Sequence, residues 1–177
     1  MKASRHEDMK VRDTALLLLA RVKDKPKSCI PVLLECLNDK ESKVRERAID
    51  RLNEMWPEAG EVMSALRAAI TDSEFGVRFS ALRMAGRYGA QAKPLVPALL
   101  KRLEKPDALV RLSFTDEFVV IMDTLATIGP IAKEALPRLR KLREKPPEGS
   151  PPTRIAGSPD KTYREIIDDT IKKIEGK

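Results

Sequence analysis

A single histidine, His6, stands beside Glu7, and two cysteines, Cys29 and Cys36, lie seven residues apart. With the adjacent carboxylates Asp116 and Glu117, they are the residues whose type and spacing could do chemistry. None of them completes a site. A Ser/His/Asp mechanism needs a nucleophile, a base and an orienting acid converging on one point, and one histidine in a ragged N-terminus is a poor base for it. The chain has no Cys-x-x-Cys, no His-Glu-x-x-His and no Gly-rich phosphate loop. On one helix the two thiols would stand about 10 Å apart at ~1.5 Å of rise per residue. That is too far for a disulfide, so they read as reduced core thiols. Asp116 and Glu117 read as solvated helix-surface carboxylates. The sequence predicts no catalytic residue, no metal and no cofactor.

The elements that would position any site are helical. Of the 177 residues, 42% are hydrophobic, 34% charged and only 4% aromatic. Leu, Ala, Arg, Lys and Glu dominate, all good helix formers, and the scarcity of aromatics argues against a sandwich or barrel. The formal net charge is +7, which permits an acidic partner such as nucleic acid, a membrane surface or an acidic protein without choosing among them. No run of about 18 apolar residues suggests a transmembrane helix. The opening MKASRHEDMK has no apolar core of a secretory signal, so the cytoplasm is the expected compartment.

Val-Arg occurs at 11–12, 44–45, 77–78 and 110–111, always at the same step. Ala15, Ala48 and Ala81 follow four residues after the valine, and Leu16, Ile49 and Leu82 follow five after. Leu37, Ile70 and Leu103 keep the same register, as do Pro31 and Pro97, with Ser64 in the middle unit. Self-similarity at a fixed period of this length marks stacked repeats. Each unit reads as a helix of about a dozen residues starting near the valine, then a short apolar helix with proline in its first turn. Ser42 or Ser73 is placed to cap the helix that follows. The arginine is expected to bond a turn carboxylate or carbonyl, with Asp39–Arg45 and Asp72–Arg78 as partners. A ladder of Arg12, Arg45, Arg78 and Arg111 binding phosphates is the functional alternative.

In the fourth unit, Gly129 comes later after Val110 than Gly89 does after Val77. Seven residues are inserted, nearly two helical turns, so the apolar face slips by only ~20°. The preferred reading is one long helix; the alternative is a second helix capped by Thr115 or Asp116.

VRFSALRMAGRYGAQAKPLVPALLKRL resembles the HEAT repeat, specifically the short HEAT-like type of phycobilisome-lyase-like proteins. The resemblance covers residues 9–143 and rests on Val-Arg, the alanine four later, an apolar-Gly ending and proline before the apolar helix. It implies an all-α solenoid of about four helical hairpins. HEAT-like hydroxylases hold two irons with several His-Glu pairs, whereas this chain has only His6-Glu7. The resemblance thus implies architecture and no chemistry.

The expected organisation is a HEAT-like solenoid over 1–144, a Pro-rich linker over 145–160 and an amphipathic helix over 161–177. Thr162 with Glu165 forms a capping box, and Tyr163, Ile166, Ile167, Ile171 and Ile174 share one face. That helix either caps the solenoid or docks on another chain. At the other end, Leu16 to Leu19 are more apolar than one face needs, so residues 3–9 form a small capping helix or this end meets a partner.

From 76 to 112 eight basic residues face only Glu104 and Asp107. The leading expectation is a non-catalytic scaffold for a protein partner with an acidic surface. Its contacts would be Arg83, Arg87, Lys101, Arg102 and Arg111, with Phe114 and Phe118 from the insertion. Nucleic-acid binding by the same basic half is the alternative, weakened by Asp50 and Glu54 on the neighbouring helix. The oligomeric state is left open.

Overall fold

A computed structural model describes residues 3–21, 27–104, 117–145 and 162–177. Among them, every regular element is helical. Helices α1 (Met9–Arg21), α3 (Ser42–Met55) and α5 (Phe75–Arg87) each start two residues before the Val-Arg valine, so the constant step seen in the sequence is a structural step. The shorter α2 (Ile30–Cys36), α4 (Ala59–Ala69), α6 (Val96–Arg102) and α8 (Leu136–Glu144) complete hairpins, with α7 (Glu117–Ile128) before α8 and α9 (Tyr163–Glu175) last. Proline sits in the first turn of α2, α6 and α8, where its missing N–H would have had no helical partner.

The chain divides into two compact units, Met1–Met84 and Ala85–Lys177. In the first, α3 packs on α1 and α2. Val44, Ala48, Ile49 and Leu52 line its fully buried face, four positions at i, i+4, i+5 and i+8. The turns before α3 and α5 are shaped by aspartate rather than serine. Asp39 Oδ1 accepts the Glu41 N–H at 2.9 Å, and Asp72 Oδ1 accepts the Glu74 N–H at 2.9 Å. Ser42 is therefore already inside α3, its N-cap being Glu41, and Ser73 precedes a helix that starts at Phe75. An aspartate carboxylate accepts the N–H two residues on more strongly than a serine hydroxyl does.

At the end of α3, Trp56 takes a left-handed conformation with φ 50° and remains 44% exposed. The matching position one step on is Gly89, φ 53°, and Gly129 repeats it at φ 71°. Glycine carries no Cβ to clash in that region, so the two glycines end α5 and α7 without the cost Trp56 bears. The short helix expected over residues 3–9 is a single 3-10 turn, Ala3–Arg5, packed on α1. Cys29 and Cys36 are free and buried, as their spacing requires, and burial pushes the Cys36 thiol up to about 11.

In the second unit, α9 packs on α7, α8 and the 3-10 segment Gly129–Ala135. Its Thr162–Glu165 capping box forms as expected. The buried stripe is Tyr163, Ile166, Ile167, Thr170 and Ile174. Thr170 replaces the expected Ile171, and its hydroxyl is satisfied by donating to the Ile166 carbonyl at 2.9 Å. Tyr163 meets the buried Phe118 of α7 with ring centroids 4.6 Å apart. Ile121, Met122, Leu125 and Ile128 are all buried, so the seven-residue insertion leaves the apolar face of α7 in place. The expectations for residues 110–116, including the choice between one long helix and two, lie outside the described residues, as does the Pro-rich stretch 146–161.

Two glycine substitutions should move stability in opposite directions. Gly89→Ala meets no close neighbour but is strained by its positive φ, and should cost about 1 kcal/mol. Gly60→Ala, in open space within α4, should gain about 0.5 kcal/mol from helix propensity. Urea unfolding of the two variants checks both signs.

Candidate protein-binding surface

The arginines of the three described Val-Arg pairs, Arg12, Arg45 and Arg78, are held inside the stack. Arg12 Nε and Nη2 donate to the Asp39 carboxylate at 2.7 and 2.8 Å, while Nη1 donates to the His6 and Glu7 carbonyls. Arg45 repeats the arrangement, with two bonds of 2.7 Å to Asp72 and one of 2.8 Å to the Asp39 carbonyl. Arg78 Nη1 again reaches the carbonyls of Asp72 and Ser73. The carboxylate partner of Arg12 and of Arg45 is thus the aspartate of the following turn. In the expected pairs Asp39–Arg45 and Asp72–Arg78, the arginine takes only the backbone carbonyl. The Arg12 and Arg45 guanidinia each tie their own turn to the next one, and the planar fork makes both connections at once. With their donors committed in this way, Arg12 and Arg45 form no phosphate ladder; Arg111 lies outside the described residues.

Burial by itself would raise the Asp39 and Asp72 carboxyls. The hydrogen bonds from Arg12 and Arg45, and those from the Glu41 and Glu74 N–H groups, outweigh it and hold both below the usual carboxylate range. His6 stands one repeat step before Asp39 and fills its place in the first turn, its Nδ1 accepting the Asp8 N–H at 3.0 Å.

The expected contact residues fall into three groups. Arg83 is exposed in the first unit, its guanidinium 6.0 Å from the centre of the Phe79 ring. Phe79 stacks on Phe75 at 5.7 Å, and Arg78 lies 5.9 Å from Phe75. Residues 75, 79 and 83 share one face of α5, with Arg78 beside Phe75 three residues on. Phe75 was missed by sequence reasoning, although its i, i+4 relation to Phe79 is the signal that finds it. Arg87 and Lys101 are exposed in the second unit. Arg102 and Phe118, by contrast, belong to the interior. Arg102 is 5% exposed and donates to Glu117 at 2.6 and 3.0 Å, and Phe118 is 1% exposed beneath Tyr163. Neither is offered to a partner, because the fold brings Glu117 onto Arg102 and Tyr163 onto Phe118 and buries both. Glu117 is likewise the buried half of this pair rather than a surface acid. Arg111 and Phe114 lie outside the described residues.

Carboxylates on α1 and α3 of the first unit are held by neighbouring side chains. Asp50 on α3 accepts the Ser80 hydroxyl at 3.0 Å, and Asp13 on α1 pairs with Arg47 at 2.8 Å. Burial raises the Glu46 carboxyl, with Asp50 adding to the effect, and the same carboxylate lies against Gly76 so closely that a Cβ there would stand 2.6 Å from it. Among the described residues, no group of three or more His, Cys, Asp or Glu could hold a metal ion, and no helix is long and apolar enough to cross a membrane.

Helical hairpins repeated at a constant step and tied by turn arginines define a HEAT-repeat-like fold. The family described as HEAT repeats matches residues 30–117. Among solved structures, this chain is similar to one in the complex of CpcE and CpcF of phycocyanin lyase from Nostoc sp. PCC7120, at 17% identity and a TM-score of 0.65. The match covers 99% of this chain and 64% of that one, so the chain spans less than two thirds of the length of that relative. At this identity the likeness is one of fold. No curated protein matches the sequence.

Arg45→Met should destabilise the chain by about 2 kcal/mol at pH 7, since it strips a half-buried carboxylate and a carbonyl of their donor. Because the Asp72 pKa is depressed by folding, the pair's contribution is present above the ordinary carboxylate pKa and is lost as pH falls through the folded value. The difference between Arg45→Met and the unaltered chain in urea midpoint should therefore shrink between pH 7 and pH 3.

Proposed function

We propose that this chain is a non-catalytic scaffold that binds a protein partner through exposed cations, the partner presenting an acidic surface. The observation that carries the reading is the contrast between Arg45 and Arg83. Arg45 is consumed in the interior by Asp72 and two turn carbonyls. Arg83 keeps its head group in solvent while the ring of Phe79 steadies its stem and charge. A cation held ready in this way loses less freedom on binding than a free side chain would. Arg87 and Lys101 add exposed positive charge in the second unit. The stacked-hairpin fold is typical of protein-interaction scaffolds, and the solved chain it resembles was determined in complex with another protein. Asp50, one repeat step before Arg83 and bonded to Ser80 on the same helix as Arg83, favours a protein over nucleic acid, because phosphate binding rewards several adjacent cations with no carboxylates between them.

Affinity capture with the full chain, followed by identification of what is bound, tests the reading. The bound protein should be acidic, and Arg83→Glu combined with Arg87→Glu should weaken binding roughly tenfold or more with helicity unchanged. Binding of DNA or RNA that falls steeply between low and moderate salt, and is abolished by the same pair of substitutions, would instead establish nucleic acid as the ligand. Capture unaffected by the substitutions would remove the basic surface from the account.

A further inference from the structure

Two successive helices carry an acid at the same repeat position, and only the first acid has a counter-cation. Asp13 on α1 is buried and is met from α3 by Arg47 at 2.8 Å and by Lys43 at 3.5 Å. Glu46 stands one repeat step later, on α3. One step after Lys43 and Arg47, α5 carries Gly76 and Ser80, so neither cation is repeated. The Glu46 carboxylate settles into the gap. It lies so close over Gly76 that a Cβ there would stand 2.6 Å from Oε2 and 2.9 Å from Oε1. Ser80 gives its hydroxyl to Asp50 instead. Among the described residues, Glu46 accepts no hydrogen bond and enters no ion pair.

The surrounding charges are committed elsewhere or have the same sign. On α3, Lys43 and Arg47 are taken by Asp13 and Arg45 by Asp72, while Asp50 stands one turn on. α1 brings Asp13 itself, and the one charged side chain of α2, Glu35, is paired with Arg5. α4 keeps Glu58 and Glu61 in its own capping box and turns Arg67 to solvent. On α5, Arg78 donates to the carbonyls of Asp72 and Ser73, and Arg83 lies by the Phe79 ring. Burial and the nearby Asp50 outweigh the attraction of Arg47, so the Glu46 carboxyl is raised.

We infer that the junction of α3 with α5 is a proton-operated joint, tight when Glu46 is protonated and looser when it is ionised. The junction of α1 with α3 is its permanently neutralised counterpart. With the proton on, Glu46 no longer repels Asp50, gains an O–H to donate, and rests on the Gly76 backbone with no unmatched charge. With the proton off, the half-buried carboxylate needs water at the junction, and that works against the packing of the buried Val77 and Ala81 of α5. Linkage gives the sign. A carboxyl raised by folding contributes stability below the ordinary carboxylate pKa, and the contribution is lost as pH rises through the folded value. Asp39 and Asp72, which their arginines hold low, act in the opposite sense and at lower pH. Mild acid therefore reaches the joint before it reaches the arginine ties.

Carbon-13 carboxyl titration of the full chain, together with amide hydrogen exchange at about pH 7.5 and about pH 5, tests it. Glu46 should titrate above the ordinary glutamate value of about 4.3. In Ser80→Arg, which returns the cation that Arg47 supplies to Asp13, its midpoint should fall below that of the unaltered chain. Exchange of the amides of residues 77–84, corrected for its intrinsic pH dependence, should be roughly twofold or more slower at the lower pH. Glu46→Gln, nearly the same shape without the charge, should exchange slowly at both pH values and so abolish the difference. Glu134→Gln, at an exposed acid of the second unit, should leave the difference intact. A Glu46 midpoint at or below the ordinary value overturns the inference. So does a midpoint that Ser80→Arg leaves unmoved, equal protection of residues 77–84 at both pH values in the unaltered chain, or a pH response that persists in Glu46→Gln.

Discussion

The guanidinium of Arg45 touches two successive turns of the repeat, and this one connection sets the spacing of the hairpins. It donates to the carbonyl of Asp39 in its own turn and to the carboxylate of Asp72 in the next. Hydrophobic burial is non-directional and would tolerate one helix sliding a turn along another. A planar fork with fixed donors on both sides would not. Buried ion pairs contribute little net stability once desolvation is counted, so the value of the Arg–Asp tie lies in register more than in energy. Asp39 and Asp72 have a further use, since each also shapes the turn that starts the next helix. A single aspartate thus joins local turn geometry to the packing of neighbouring units.

Most of the fold was legible because its signals are periodic. The constant step, the buried alanine and valine positions, the first-turn prolines and the Thr162–Glu165 box all read directly from spacing. What could not be read was the far end of each side chain. The sequence places Arg45 near Asp39 and Asp72 alike, and only the turn conformation decides that the first offers a carbonyl and the second a carboxylate. Arg102 and Arg83 have similar neighbours in the chain, yet one lies beneath the surface on Glu117 and the other lies on the ring of Phe79. Exposure of a cation depends on which partner the fold brings up from elsewhere, and in repeats that partner comes from the adjoining unit.

The departures from the repeat are as informative as the repeat. His6 takes the place of Asp39 in the first turn and keeps its local hydrogen bond while giving up the carboxylate. The fourth unit is seven residues longer in sequence, within 112–125, and Ile121, Met122, Leu125 and Ile128 of α7 lie on the buried side. Thr170 in α9 shows that a polar residue is accepted on a buried stripe when the helix's own backbone can take its proton. At His6 and Thr170 the constraint that holds is local satisfaction of polar groups, and the constraint that relaxes is residue identity.

Trp56 is the only tryptophan in the chain, and both tyrosines, Tyr88 and Tyr163, lie beyond residue 84. The two compact units therefore carry different chromophores. Indole emission excited at the red edge reports on the N-terminal unit alone, and phenol absorbance on the C-terminal one. Melting of the halves can be followed separately in a single sample, with no label attached.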